Sequence, residues 1–165
     1  MNRRKFVISC LGLAALPVIA GRVFGGQPAM SDKPMEIKKI TKSKEEWKAI
    51  LSPERYAVLR DEDTERAGSS ELNKEKRAGQ YVCAGCDLPL FTSAMKFDSG
   101  TGWPSFFTTL PGAVGTKRDF KIILPRTEYH CARCGGHQGH VFDDGPKPTG
   151  QRWCNNGLAL KFMPA

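Results

Sequence analysis

Two short cysteine pairs constrain this chain more than anything else in it. Cys83-Ala84-Gly85-Cys86 and Cys131-Ala132-Arg133-Cys134 share the CxxC spacing, and 44 residues separate them. A CxxC turn points both sulfurs to one side, and two such turns facing each other make a tetrahedral cage of four thiolates. Any fold must therefore carry two remote turns to a common point. Zinc is the default occupant, since it suits a thiolate tetrahedron and does no redox chemistry; iron is the runner-up. A closed cage has no open position, so its role is structural. The metal's binding free energy, about 10–16 kcal/mol for zinc in small domains, then becomes folding free energy. Two readings compete. Thioredoxin-like redox pairs open a helix after a βαβ-type strand, which neither pair does; the other competitor is a pair of structural disulfides.

Each pair ends a short apolar run and is followed by turn residues, Asp87 in one case and Gly135-Gly136 in the other. From Gln80 onward such runs alternate with Gly, Pro, Asp and Asn. They predict strands at Tyr81–Val82, Leu88–Phe91, Trp103–Phe107, Lys121–Leu124, Glu128–His130, His140–Phe142 and Leu158–Phe162, the spacing of an antiparallel sheet domain. Two helices precede them. Ser43 and Glu46 form a capping box ahead of Trp47, Ile50 and Leu51 at i, i+3, i+4. Ser52-Pro53-Glu54 starts a second helix to about Arg60, with Tyr56 and Leu59 facing inward. Asp61 to Gly79 is polar and reads as a long surface loop. The fold class is α+β, mostly β.

At 165 residues the chain suits one domain. Its formal charge of +8 points towards nucleic acid until the N-terminus is set aside. Without Arg3, Arg4, Lys5 and Arg22, 21 basic residues face 17 acidic ones, and no run of basic residues tracks a phosphate backbone. No nucleic-acid partner is expected. Residues 1–26 read as a signal segment. A basic start precedes an apolar stretch from Phe6 to Ala20, and cleavage is expected between Ala20 and Gly26. Asn2-Arg3-Arg4-Lys5-Phe6-Val7 resembles a twin-arginine signal, which exports folded proteins to the periplasm. The alternative is an uncleaved membrane anchor. Residues 27–39 read as a flexible lead-in and 40–165 as the working domain. Exported thiols tend to oxidise, and folding around a metal before export would protect the two pairs.

With Cys10 in the signal segment and four cysteines on metal, Cys154 is left over. It is either an inert buried cysteine or a nucleophile. Arg152, two residues before it, can stabilise the reactive thiolate. His137 and His140, at i, i+3 on a Gly-rich turn, can supply an acid near neutral pH, unless both serve the metal thiolates. Asn155 and Asn156 place amides where a strand core is expected. In Ser99-Gly100-Thr101-Gly102-Trp103-Pro104-Ser105-Phe106, glycines flank a Trp-Pro pair. Trp103 is there either the wall of a small apolar pocket or a core residue.

Taken in order, these pieces resemble the methionine-R-sulfoxide reductases of the B type. The resemblance rests on Glu46-Trp47, Val58-Leu59-Arg60, Thr64-Glu65-Arg66, Cys83–Cys86, Phe97–Phe106, Cys131–Cys134, Gly136–Pro146 and Arg152–Asn156, and spans about residues 40 to 162. It implies two antiparallel sheets with one structural Zn2+ on Cys83, Cys86, Cys131 and Cys134, away from the reaction centre. It also implies reduction of the R epimer of methionine sulfoxide in oxidised proteins, with free methionine sulfoxide as a further substrate. By that analogy Cys154 attacks the sulfoxide sulfur and becomes a sulfenic acid. His140, with His137 beside it, protonates the departing oxygen. Asn156 sets the hydrogen-bond network, Arg152 lies at the substrate, and Trp103 cradles the substrate methyl group.

One position departs from the pattern. Many members of the family carry a resolving cysteine in the Gly-Trp-Pro segment, where this chain has Thr101. An external thiol reductant, thioredoxin-like or other, is then expected to reduce the sulfenate. The chain is expected to be a monomer, with no stable membrane association once the signal is cut. The reading of a different class is a zinc-ribbon-like binding module without catalysis, which would tolerate loss of Cys154, His140 and Trp103.

Overall fold

The computed structural model describes residues 37–120 and 125–165. The expected signal segment, most of the lead-in and the expected strand Lys121–Leu124 lie outside the described residues.

Both helices begin where the capping residues put them. In α1 (Lys44–Ile50) the Ser43 hydroxyl accepts from the Glu46 backbone N–H and the Glu46 carboxylate accepts from the Ser43 N–H, the reciprocal box. In α2 (Pro53–Asp61) Ser52 caps and Pro53 occupies the first turn, where its missing N–H costs nothing. Trp47, Leu51, Tyr56, Val58 and Leu59 are buried. Ile50, expected on the same stripe as Trp47 and Leu51, is 57% exposed. The chain turns away at Leu51, so a helix of two turns buries only the i, i+4 pair.

The strands are β1 (Gly79–Cys83), β2 (Pro89–Thr92), β3 (Lys96–Phe97), β4 (Ser105–Phe106), β5 (Val114–Asp119), β6 (Arg126–Cys131), β7 (His137–Phe142), β8 (Arg152–Asn155) and β9 (Leu160–Pro164). They form two antiparallel sheets, one ordered β2-β1-β9 and the other β3-β4-β8-β7-β6-β5. An aromatic cluster joins the sheets. Phe91 of the small sheet stacks on Phe106 of the large one at 4.0 Å, and Tyr81 meets Phe106 edge-on at 5.0 Å. Tyr129 then packs edge-on against Trp153 at 5.0 Å. Tyr81, Phe91, Phe106 and Tyr129 are fully buried, each contributing on the order of 2–3 kcal/mol of apolar burial.

Several strands differ from expectation for local reasons. Only Ser105–Phe106 of the expected Trp103–Phe107 pairs, because Pro104 has no N–H to give and Trp103 lies in the preceding turn. The last strand starts at Leu160, after a 3-10 turn over Gly157–Ala159. Strand β5, Val-Gly-Thr-Lys-Arg-Asp, was not expected. It is an edge strand with a largely exposed, charged middle, so it lacks the alternating pattern that marks a half-buried strand.

Candidate active site and metal cage

Cys83 ends β1 and Cys131 ends β6, so each CxxC is the turn of a hairpin, one from each sheet. The left-handed conformations at Asp87 (φ 59°) and Gly135 (φ 68°) let both turns reverse tightly. The Cys83 and Cys134 sulfurs lie 3.6 Å apart, those of Cys86 and Cys131 3.5 Å, and all four fall within 4.8 Å of one another. A zinc tetrahedron with bonds of about 2.3 Å needs sulfur–sulfur edges of roughly 3.8 Å, so the four thiols fit that ion. The cage joins the two sheets, and α1 and α2 cover it. A Cβ on Gly136 would meet Leu59 at 3.0 Å and the Cys134 sulfur at 3.3 Å, which shows how closely α2 approaches. Arg60 donates to the Cys134 carbonyl at 3.0 Å and lies over the Trp47 ring.

Cys154 sits in the middle of the large sheet. Its Cα pairs with His140 of β7 on one side and Ser105 of β4 on the other. Cross-strand partners point to the same face, which brings a thiol and an imidazole together. The close approach of β7 needs Gly139, because a Cβ there would lie 1.9 Å from the Cys154 carbonyl oxygen. Cys154 and His140 line a cavity of about 110 Å³ with Trp103, Thr64, Phe142 and Asn156. The size suits the end of one unbranched side chain. A wider hollow of about 690 Å³ beside Arg55, Arg66 and Lys161 is lined by no cysteine or histidine.

The two histidines occupy a strand rather than the expected Gly-rich turn. In a regular strand residues i and i+3 face opposite sides. Here Tyr129 pairs with Gly139 while His130 pairs with His137, so Gln138 is an extra residue bulged out of β7. The bulge returns His137 and His140 to one side, their rings 5.5 Å apart. Neither serves the metal thiolates, which was the competing possibility. His140 Nε2 lies 2.7 Å from the Asp119 carboxylate, which also accepts from Arg126 at 2.7 Å. His137 is 2% exposed, holds its Nδ1 2.7 Å from Glu128, and leaves Nε2 buried without a hydrogen-bond partner. Only His140 of the pair lines the cavity.

These partners set the ionisation of the site. Burial lowers the proton affinity of His140, and its hydrogen bond to Asp119 opposes that only in part. Burial likewise pushes the Cys154 thiol up, against the lowering influence of Arg152 and of the Thr101 hydroxyl. For Glu128, burial would raise the pKa, but hydrogen bonds from His130 and His137 and the charges of His137 and Lys117 bring it to about 2.

The remaining expected residues have defined places. Trp103 stands on a turn held by the loop before β1, which is therefore more than a surface crossing. Trp103 Nε1 donates to the Glu65 carbonyl at 3.1 Å, and Gly68 N and Asn73 Nδ2 both donate to the Gly102 carbonyl. Gly102 has φ 91° and abuts Ala67, so a larger residue fits neither the backbone nor the space. Asn156 has both ends of its amide on backbone, accepting from Glu65 N and donating to the Gln138 carbonyl. Arg152 forks onto Asp144 with two 2.8 Å bonds and lies 4.3 Å over the Phe142 ring. It stands beside Cys154 but does not line the cavity. Asp119, Arg126 and Glu128 were missed from sequence. Arg126 and Glu128 flank Thr127 on one strand, yet only the pairing of β5, β6 and β7 carries Asp119 and Glu128 to the histidines.

Comparison with known proteins meets this geometry directly. The SelR domain family matches residues 51–164. "Peptide methionine sulfoxide reductase MsrB" of Pseudomonas putida is 52% identical over 129 residues, 78% of this chain and 97% of its own length. The protein of the same name from Bradyrhizobium diazoefficiens is 54% identical over 76% of this chain and 91% of its own. "Peptide methionine sulfoxide reductase B1, chloroplastic" of Arabidopsis thaliana is 48% identical over 83% and 71% respectively. The matched span holds the four-cysteine cage, the Trp103 turn and the Cys154–His140 strand pair together, and by it this chain belongs to the MsrB family of SelR-domain proteins.

Proposed function

We propose that the chain is a peptide methionine sulfoxide reductase acting on the R epimer at sulfur, in oxidised proteins, with Cys154 as nucleophile. The observation that carries this reading is a thiol and an imidazole paired across two strands at a cavity one side chain wide, with an indole on its wall. The sulfoxide sulfur approaches Cys154 Sγ while its methyl group rests on Trp103. His140 supplies a proton to the sulfoxide oxygen. Its burial makes it a weak base, hence a ready donor once protonated. Arg152 holds positive charge beside the thiolate, and Asp144 holds Arg152. The oxygen passes from substrate to enzyme sulfur, so a thiol and a sulfoxide become a sulfenic acid and a thioether with no other reactant. Two external thiols then restore Cys154, leaving water and a disulfide. Thr101 lies where an internal thiol would otherwise serve, which supports an external reductant.

Zinc held by Cys83, Cys86, Cys131 and Cys134 supplies no chemistry at Cys154; it clamps the two hairpins. Export through a twin-arginine-type signal and a monomeric mature protein complete the reading. The signal is supported by Arg3-Arg4 and the apolar stretch to Ala20. Assay of the mature protein on separate R- and S-sulfoxide peptides with dithiothreitol tests the activity: turnover of the R epimer alone is expected. Turnover confined to the S epimer, or of neither, overturns it. N-terminal sequencing of exported protein, with Arg3 and Arg4 each changed to Lys, tests the signal.

A further inference from the structure

Glu65 bonds to two residues that line the cavity without lining it itself. It is 8% exposed and lies in the loop between α2 and β1. Its backbone N–H donates to Asn156 Oδ1 at 3.1 Å, and its carbonyl accepts from Trp103 Nε1 at 3.1 Å. A single residue therefore fixes the indole and the amide relative to each other. Its side chain is anchored as well. The carboxylate accepts from Gly157 N at 2.5 Å and from Leu158 N at 3.0 Å, the first two N–H groups of the 3-10 turn over Gly157–Ala159. Asn156 precedes that turn, but its side chain makes no capping bond, being engaged with Glu65 N and the Gln138 carbonyl instead. The cap comes from Glu65, 92 residues away in sequence. A Cβ on Gly157 would stand 1.9 Å from Ser70 Oγ and 3.2 Å from Glu65 Oε1, so glycine is what lets this loop close on the strand end.

We propose that Glu65 is a positioning residue that sets the width of the cavity and so restricts it to sulfoxides carrying a methyl group. The carboxylate decides where the residue sits, and the backbone of the same residue then decides how far the indole stands from the Asn156 amide. An ionised carboxylate offers only acceptors, and both groups facing it are N–H donors. A glutamine offers one accepting oxygen, and its NH2 would face the second N–H, donor against donor. Replacing the carboxylate therefore frees one end of the brace while leaving the cavity lining itself unchanged. An apolar pocket discriminates one added methylene by roughly 10–200-fold, and it does so only while its walls do not yield. The loop from Glu65 to Asn73 holds the same turn a second time, through the Gly68 and Asn73 bonds to the Gly102 carbonyl, so the side of the cavity formed by Trp103 is fixed from that loop alone. This inference rests on the reductase reading, in which Trp103 and Asn156 enclose the sulfoxide, but one arm of its test needs no turnover.

Two ratios read the width. The first compares kcat/KM for the R-sulfoxides of N-acetylmethionine amide and N-acetylethionine amide, which differ by one methylene. The second compares the rates at which methyl and benzyl methanethiosulfonate form a mixed disulfide at Cys154, followed by mass spectrometry of zinc-loaded protein. Glu65→Gln keeps the shape of the side chain. It is expected to lower the methyl preference in the first ratio by about tenfold, the low end of what one methylene commands, and to lower the second in the same direction. Glu65→Asp keeps the charge but falls one methylene short of the turn, and gives the reading if Glu65→Gln does not fold. Ser43→Ala weakens the cap of α1 without a bond to either wall, and should leave both ratios unchanged. Zinc content and circular dichroism establish that each variant is folded. Glu65→Gln ratios that match wild type overturn the proposal. So does an equal change in Ser43→Ala, which would mark general loosening. A wild type that turns over neither sulfoxide, yet shows a Glu65-dependent thiosulfonate ratio, would instead overturn the reductase reading alone.

Discussion

Cys154 and His140 are both held in their neutral forms, one by a raised and the other by a lowered proton affinity. In the proposed attack the pair is thiolate and imidazolium, which has the same proton count as thiol and imidazole. Rate therefore falls when a proton is added below the His140 pKa, itself under the ordinary 6.5, or lost above the Cys154 pKa, itself over the ordinary 9.0. A broad plateau of kcat/KM against pH is expected, and a maximum confined between 6.5 and 7.5 would contradict it. Cys154→Ser should abolish turnover, at least a thousandfold, while zinc content and melting temperature stay within error, as thiol titration and calorimetry would show. Glu128 makes a stability prediction. Its folded pKa of about 2 lies below its ordinary 4.5, so its contribution is present above 4.5 and lost as pH falls towards 2. On the order of 3 kcal/mol is involved. Glu128→Gln should therefore flatten the acid limb of a denaturant-unfolding series. The cage was legible from the CxxC spacing, and Cys154 was legible by elimination as the cysteine left outside it. Asp119 and Glu128 were not, because a carboxylate's partner depends on strand register, which no local pattern in Arg126–Cys131 or Val114–Asp119 encodes.

Helix starts were legible to the residue, since Ser43 with Glu46 and Ser52 with Pro53 declare their own hydrogen bonds. Ser43→Ala should cost about 1 kcal/mol, readable as a lower denaturant midpoint with an unchanged slope. Strand β7 was harder. Its second half, His140–Phe142, was expected as a strand, but His137–Gly139 read as a Gly-rich turn, because the glycine is there for contact with β8 and the bulge hides the alternation. Gly139→Ala would drive a methyl group into the Cys154 carbonyl. It is expected to part β7 from β8 and to lower both melting temperature and kcat/KM by more than tenfold in the latter. A variant with normal kinetics would mean the strands can shift at little cost. The Trp103 turn makes the complementary case. Its glycines were visible in sequence, while the loop that grips it, from Glu65 to Asn73, carried no pattern beyond polarity.

At the scale of the molecule, one hairpin from each sheet meets at the four cysteines, and the aromatic cluster joins the same sheets elsewhere. Removing the metal should therefore loosen the two sheets from each other without dissolving either. Partial unfolding with a chelator is expected to lower the melting temperature by tens of degrees and broaden the transition, and zinc readdition should reverse it. Cys131→Ser should do the same irreversibly. The bulged Gln138 gives this clamp a reach beyond stability. Its side-chain amide contacts the Cys83 sulfur, while its carbonyl accepts twice from Asn156, two residues past Cys154. One residue thus touches the cage with one end and the wall of the cavity with the other. Disturbance of the cage is therefore expected to reach the cavity through Gln138, so that chelation should lower turnover as well as the melting temperature.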